Sequence, residues 1–228
     1  MTKFYGIICV AGSASKEAMM ALVSDQVSAF DMNKVDDGEW DWWELPTPGY
    51  PSFAVKPEFV GDPRLVPVGD QPGRCFGGPV SAIDLDAFSV AAADGAGLWQ
   101  AWHATPGASS VVPLGHFLDK ARSVAGYTAQ EARADFASQP PIREYLGPGE
   151  KIWQRDEDPV YIFRGTVDDY LEREAARLLR CDAFVTEDGE WLDDSAFDDS
   201  PDDFSVFVLS HLRQLADDAS VVYLLFHS

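Results

Sequence analysis

The side chains able to do covalent chemistry are few and widely spaced. Cys9, Cys75 and Cys181 form no Cys-x-x-Cys pair and are odd in number, so their spacing supports neither a disulfide framework nor a zinc site. They read as free thiols, with Cys9 and Cys181 buried in apolar surroundings. Cys75 differs. In Gly73-Arg74-Cys75-Phe76-Gly77-Gly78 a cation adjoins the thiol and would lower its pKa, while the glycines suit a flexible loop that admits a substrate. A Cys75 nucleophile served by His103 or His116 is therefore the enzymatic reading of the chain, a hydrolase or transferase. The four histidines, His103, His116, His211 and His227, show no spacing of a metal or catalytic motif, and each reads as a hydrogen-bonded structural or surface group. No catalytic residue, metal ligand or cofactor is assigned. Gly12-Ser13-Ala14-Ser15-Lys16 lacks the glycine and the Gly-Lys-Ser/Thr of a phosphate-binding loop, and reads as a capped helix start. The acidic run from Asp193 fails the EF-hand pattern, with no Gly at its sixth position and Phe204 at its twelfth.

Carboxylates dominate what remains. The chain has 228 residues, 17 Lys and Arg against 38 Asp and Glu, and a formal net charge of −21. Such an excess repels nucleic-acid phosphates and anionic lipid, so direct binding of either is not expected. Between Asp182 and Asp218 lie twelve acidic residues and one basic residue, Arg213, which concentrates about half of the negative excess in one stretch. Aromatic residues interleave it. That combination predicts a fixed acidic face for a basic protein partner: Asp188, Glu190, Asp193, Asp194, Asp198, Asp199, Asp202 and Asp203, with Trp191 and Phe197 as apolar anchors. An immunity-type inhibitor of a basic nuclease-like toxin, or a mimic of nucleic-acid charge, would carry such a face. The competing reading is an acidic surface that serves solubility alone. A third reading makes the Trp40–Trp43 stripe an exposed self-association surface.

The residues are 46% hydrophobic and 12% aromatic, too apolar for an acidic disordered chain. The longest apolar runs, Phe4–Ala11 and Val221–Phe226, fall short of the about 20 residues that span a bilayer, and Lys3 followed by so brief a run makes a poor secretory signal. A cytoplasmic protein is expected.

The elements that must position these groups follow from periodicity. Lys3–Val10 reads as a buried strand, followed by a helix capped by Ser13 or Ser15 with a stripe of Met19, Leu22, Val23, Val27 and Phe30. Residues 35–45, centred on Asp36-Asp37-Gly38-Glu39, read as a hairpin in which Trp40 and Trp42 share the core face and Trp43 points away. Residues 46–79 hold eight Pro and six Gly and read as a long ordered loop or edge-strand meander. Leu98–Ala104 reads as a strand, Leu114–Val124 as a helix, and Thr128-Ala129-Gln130-Glu131 as a capping box opening a helix that Pro140-Pro141 ends. Gly147-Pro148-Gly149 is a turn and the expected lobe boundary. Then come a strand at Pro159–Phe163, a helix capped by Thr166, a second hairpin around Asp188-Gly189-Glu190-Trp191, a helix from Ser200-Pro201 to about Ala216, and a buried strand Ser220–His227.

The fold class expected is α+β: a mixed or antiparallel sheet with helices packed on one face, and ferredoxin-like, split βαβ character in the C-terminal part. The domains are an N-terminal lobe, 1–149, and an acidic C-terminal lobe, 150–228, with a single domain over 1–228 as the alternative. Identical tetrapeptides, Asp37-Gly38-Glu39-Trp40 and Asp188-Gly189-Glu190-Trp191, admit either duplication or convergence on a common turn.

Overall fold

Strand β8 (Ser220–His227) is buried at all eight positions, so it needs a neighbour on each edge and cover on each face. In the computed structural model, which describes residues 2–12, 14–147, 151–153, 157–197 and 201–228, β8 pairs antiparallel with β1 (Lys3–Val10) over eight residue pairs, from Lys3↔His227 to Val10↔Ser220. Its other edge is shared. β5 (Gln71–Pro79) pairs with its first half and β2 (Trp42–Glu44) with its last three residues. Beyond β1 lie β6 (Ala183–Val185), parallel to it, and the edge strand β7 (Trp191–Asp193). β3 (Phe53–Ala54) and β4 (Val66–Val68) both pair with β5. The result is a mixed eight-stranded sheet of order β3-β5-β8-β1-β6-β7, with β2 and β4 off that path. The pairings make β7 and β8 parallel, with β1 and β6 lying between them.

Helix α1 (Lys16–Val27) begins where the Ser15 hydroxyl accepts from the Ala18 N–H at 3.2 Å. Its Met19, Val23 and Val27, four residues apart, pack on Ile8, Val10, Val222, Leu224 and Phe226. Phe184 and Tyr223 alternate with Val185 and Leu224 and so face the other way. There Phe184 meets Phe207 and His211 of α9 (Pro201–Gln214), Tyr223 packs on Phe53 at 4.5 Å, and the Tyr223 hydroxyl donates to the Leu179 carbonyl at the end of α8 (Val167–Leu179). Helices therefore cover both faces of the sheet, not one, because a strand apolar on both sides leaves neither face to water.

The Pro- and Gly-rich stretch is the meander that its composition predicts, with one correction. Residues 73–78 are not a loop but the inner part of β5. Gly77 belongs there because a Cβ at that position would sit 2.5 Å from the Val221 carbonyl oxygen and 2.8 Å from Val222 Cα.

The first Asp-Gly-Glu-Trp segment makes no hairpin. The chain leaves α1 through a 3-10 turn at Ser28–Phe30 and closes a loop through Met32 N–H to the Trp40 carbonyl (2.8 Å) and Glu39 N–H to the Phe30 carbonyl (2.8 Å). β2 starts only at Trp42, which inverts the tryptophan parity expected from one continuous strand. Trp40 is buried, Trp43 packs partly against the core, and Trp42 is 51% exposed.

The chain divides into two units, Met1–Ala91 with Ala175–Ser228, and Ala92–Glu174. The first unit is discontinuous in the chain, since β1, β6 and β8 share one sheet, and the expected boundary at 149/150 lies outside the described residues. The second unit contains α3 (Ala96–Ala104), α4 (Leu114–Ser123), α5 (Ala129–Ser138), α6 (Pro140–Leu146) and α7 (Pro159–Ile162). Its core gathers Trp102, Leu114, Phe136, Ile142, Ile152, Phe163 and Tyr170.

Three readings of that segment change. Leu98–Ala104 lies in α3, where Trp99 and Trp102 sit three residues apart in helical register instead of alternating along a strand. Pro159–Ile162 is helical because the buried Asp158 carboxylate accepts from both Val160 N–H (2.9 Å) and Leu114 N–H (2.7 Å), capping α7 at its Pro159 and fastening it to the start of α4. Pro140-Pro141 ends α5 but also opens α6, where a proline lacking an N–H costs no hydrogen bond. The capping box at Thr128 and Glu131 forms as read.

Gly77→Ala is expected to destabilise the protein by about 2–4 kcal/mol through backbone collision with β8. Urea unfolding checks this: a midpoint shift equivalent to less than about 0.5 kcal/mol would mean that β5 moves aside easily.

Candidate partner-binding face

The second Asp-Gly-Glu-Trp segment is a hairpin turn between β6 and β7. Thr186 N–H donates to the Glu190 carbonyl, Gly189 N–H to the Thr186 carbonyl, both at 3.0 Å, and Gly189 takes a φ of 81° that a side chain would strain. Asp188 and Glu190 are exposed on this turn. The base of the hairpin is tied down: the Gln26 amide of α1 donates to the Thr186 carbonyl, and Glu187 pairs with His211 of α9 at 2.8 Å.

The residues that follow separate into two groups. Asp193 Oδ1 accepts from the Ser195 N–H at 2.9 Å, and Asp194 is exposed, as is Asp203 in the first turn of α9. Asp202 is buried and spends its charge internally, with Oδ1 accepting from Arg177 Nε at 2.8 Å and Oδ2 from Arg177 Nη2 at 3.0 Å. Asp198 and Asp199 lie outside the described residues. The two expected anchors face inward. Trp191 packs on Phe4, Phe30 and Phe226 with centroid separations of 5.1–6.3 Å, and Phe197 packs on Phe204 and Phe207. Below the hairpin, a cavity of ≈ 410 Å³ is lined by Tyr5, Arg177, Arg180, Asp182 and Asp194 among others, with Asp182 exchanging hydrogen bonds with the Tyr5 backbone.

The segment that sequence reasoning missed is the loop from Asp31 to Tyr50. Trp40, at the end of its own Asp-Gly-Glu-Trp, packs at a tilt on Phe226 at 5.9 Å, while Trp191 meets the same ring at 5.6 Å and Phe30 at 5.1 Å. Both tetrapeptides thus end on one aromatic node. The acidic loop and the acidic hairpin are thereby anchored on the same ring, although some 150 residues separate the two in the chain. Asp36, Asp37, Glu39 and Asp41 are exposed, as are Met32, Val35, Trp42, Leu45 and Tyr50. The loop is ordered by Asp31, whose Oδ1 accepts from Asn33 N–H (2.9 Å) and which pairs with Lys34 (3.1 Å). These contacts, the Asn33 N–H foremost, hold its carboxyl below the usual range. Trp42 lies edge-on over His227 at 4.5 Å, fixed at the sheet margin by the pairing of β2 with β8. A signal for this segment was present: between Asp31 and Glu44 run six carboxylates and one Lys, with three tryptophans among them.

The nucleophile assignment fares differently. Cys75 is a fully buried strand residue, and desolvation outweighs Arg74 to push its thiol up to about 12. Cys9 and Cys181 are also buried, and burial raises both thiols. His103 is hydrogen-bonded to the Phe163 carbonyl at 3.0 Å and stacks on Trp99, and His116 is exposed against Phe117. Among the described residues no three His, Cys, Asp or Glu side chains are grouped to hold a metal ion, and no helix is long and apolar enough to cross a membrane.

No family model matches the chain, and neither a curated protein nor a solved structure resembles it significantly.

The burial of the thiols sets two expectations. In the native protein at pH 8 all three cysteines resist alkylation by iodoacetamide and react on unfolding, which mass spectrometry reads; modification of native Cys75 at the rate of a free thiol would contradict its placement. Thiols that ionise near 9.0 when unfolded but stay protonated in the fold contribute stability that is full below that pH and is lost as pH rises toward 12. The thermal midpoint should therefore fall as pH is raised above about 9.

Proposed function

We propose that this protein is a non-enzymatic binding module that masks a basic protein partner. It does so with a composite face of Asp36, Asp37, Glu39 and Asp41 from the loop and Asp188, Glu190, Asp193, Asp194 and Asp203 from the hairpin region. The immunity-type inhibitor and the mimic of nucleic-acid charge are the roles this chemistry suits. The observation that carries the proposal is the convergence of two acidic segments on Phe226, with Trp42, Leu45 and Tyr50 exposed where the acidic loop continues along the chain. An acidic surface made for solubility has no need of exposed aromatics, whereas an interface uses them as its energetic centre. Trp42 takes the anchor role first expected of Trp191. Its ring accepts an arginine guanidinium by cation–π attraction while Asp41 and the loop carboxylates bind the same group's N–H edges.

A fluorescein-labelled nona-arginine peptide serves as the probe, read by anisotropy. Neutralising the loop (Asp36→Asn, Asp37→Asn, Glu39→Gln, Asp41→Asn) should weaken binding about tenfold, and Trp42→Ala about fivefold, whereas the same charge change in the helical unit (Asp94→Asn, Asp119→Asn, Glu144→Gln, Asp168→Asn) should cost no more than about twofold. Raising salt from about 50 to about 500 mM should weaken the wild-type complex steeply. Equal losses in the two charge variants would reduce the face to bulk charge and sink the proposal.

A further inference from the structure

The helical unit carries a second surface of opposite character. Residues Gln130, Arg133, Ala134 and Ala137 recur at three- and four-residue steps and so share one side of α5, away from its buried Ala132 and Phe136. The segment 151–153 lies along that side and encloses with it a cavity of ≈ 480 Å³, within the range of small-ligand sites. Arg133 builds the wall: its Nε (3.2 Å) and Nη2 (3.0 Å) donate to the Trp153 carbonyl and its Nη1 (3.2 Å) to the Ala129 carbonyl. Three of its five N–H groups are thereby used. Ile152 is buried beneath, Trp153 is 61% exposed, and the Lys151 ammonium stands 5.5 Å from the centre of the Trp153 ring.

Two features of this cavity specify a ligand. Its described lining is mostly apolar, with the alanine side chains of α5, Ile152 and an indole, which suits a flat hydrophobic body. The described lining also contains two cations, Arg133 and Lys151, and no carboxylate, in a chain whose net charge is −21. Glu157 accepts from the Trp153 backbone N–H at 2.6 Å and so helps to fix the segment without lining the cavity. At ordinary ionic strength charges more than about 10 Å away are screened, and of the charged side chains described in the cavity wall itself Lys151 and Arg133 are both cationic.

We propose that the groove between α5 and residues 151–153 binds a small amphipathic carboxylate, its apolar body between Trp153 and Ala134–Ala137 and its carboxylate held by Lys151 and the remaining Arg133 N–H groups. The two cations favour a monoanion that a planar guanidinium edge and an ammonium can share. The site is independent of the acidic face and stands or falls separately from it.

Isothermal titration of the full chain with naphthalene-2-carboxylate, and with naphthalene-2-methanol as the uncharged analogue, tests the site. The carboxylate should bind about tenfold more tightly than the alcohol, and Lys151→Glu should abolish that difference while leaving the alcohol's affinity unchanged. Ala134→Trp should fill the groove and remove binding of both, with Ala137→Trp as a second filling variant. Far-UV circular dichroism and the thermal midpoint establish that the variants are folded. Failure of the carboxylate to bind, equal affinity for acid and alcohol, or full binding by both filled variants would overturn the proposal.

Discussion

The antiparallel pairing of β1 with β8 is the constraint on which the sheet unit depends. It joins the two ends of the chain, and Thr2 and Ser228 extend it with a further pair of backbone hydrogen bonds at 2.9 and 3.2 Å. The cost of closing so long a loop rises only with the logarithm of its length. What makes the closure worthwhile is the composition of β8, apolar on both faces. Each face then demands a helix and each edge a strand, which recruits α1, α9, β5 and β2. Phe226 occupies the last part of β8, and because it lies against Phe4, Trp40 and Trp191 it is also where the sheet meets the two acidic segments.

Holding carboxylates close together is unfavourable unless something else orders the backbone that carries them. Here the tryptophan at the end of each acidic tetrapeptide does so, burying its ring while its neighbours stay in water. The acids of these regions accordingly serve two purposes. Asp31 and Asp202 are consumed by the fold, one in ordering its loop and one in a buried fork with Arg177. Asp36, Asp37, Glu39, Asp41, Asp188 and Glu190 have no such internal duty and are the ones left facing solvent.

The helical unit is organised by a different device. One buried carboxylate, Asp158, accepts backbone N–H groups at the starts of two helices and so fixes α4 against α7, while Arg133 fastens residues 151–153 to α5 through backbone carbonyls. In both cases a side chain satisfies main-chain groups of a segment far away in sequence. That leaves a concavity framed by a helix and a three-residue stretch of chain.

Much of the local structure was legible before any tertiary contact was known. Period-3.6 stripes and caps located α1, α4, α5, α8 and α9, the apolar runs located β1 and β8, and Asp188-Gly189 located a genuine turn, because these signals depend on neighbours a few residues away. The same tetrapeptide at Asp37 misled, since a turn becomes a hairpin only when both flanks find strand partners, and the preceding flank is a 3-10 turn instead. Pro159–Phe163 misled as well: its β-branched and aromatic residues favour a strand, and Asp158 overrides them with a cap. Sequence alone determined the acidity, the α+β class and the secondary structure of the strongest segments, all of which follow from composition and short-range spacing. Tertiary structure alone decided that Cys75 is sealed inside a strand, that Trp42 is more exposed than Trp191, and that two acidic segments distant in the chain are anchored on one ring, because burial and adjacency arise from long-range pairing around β8 that no local pattern encodes.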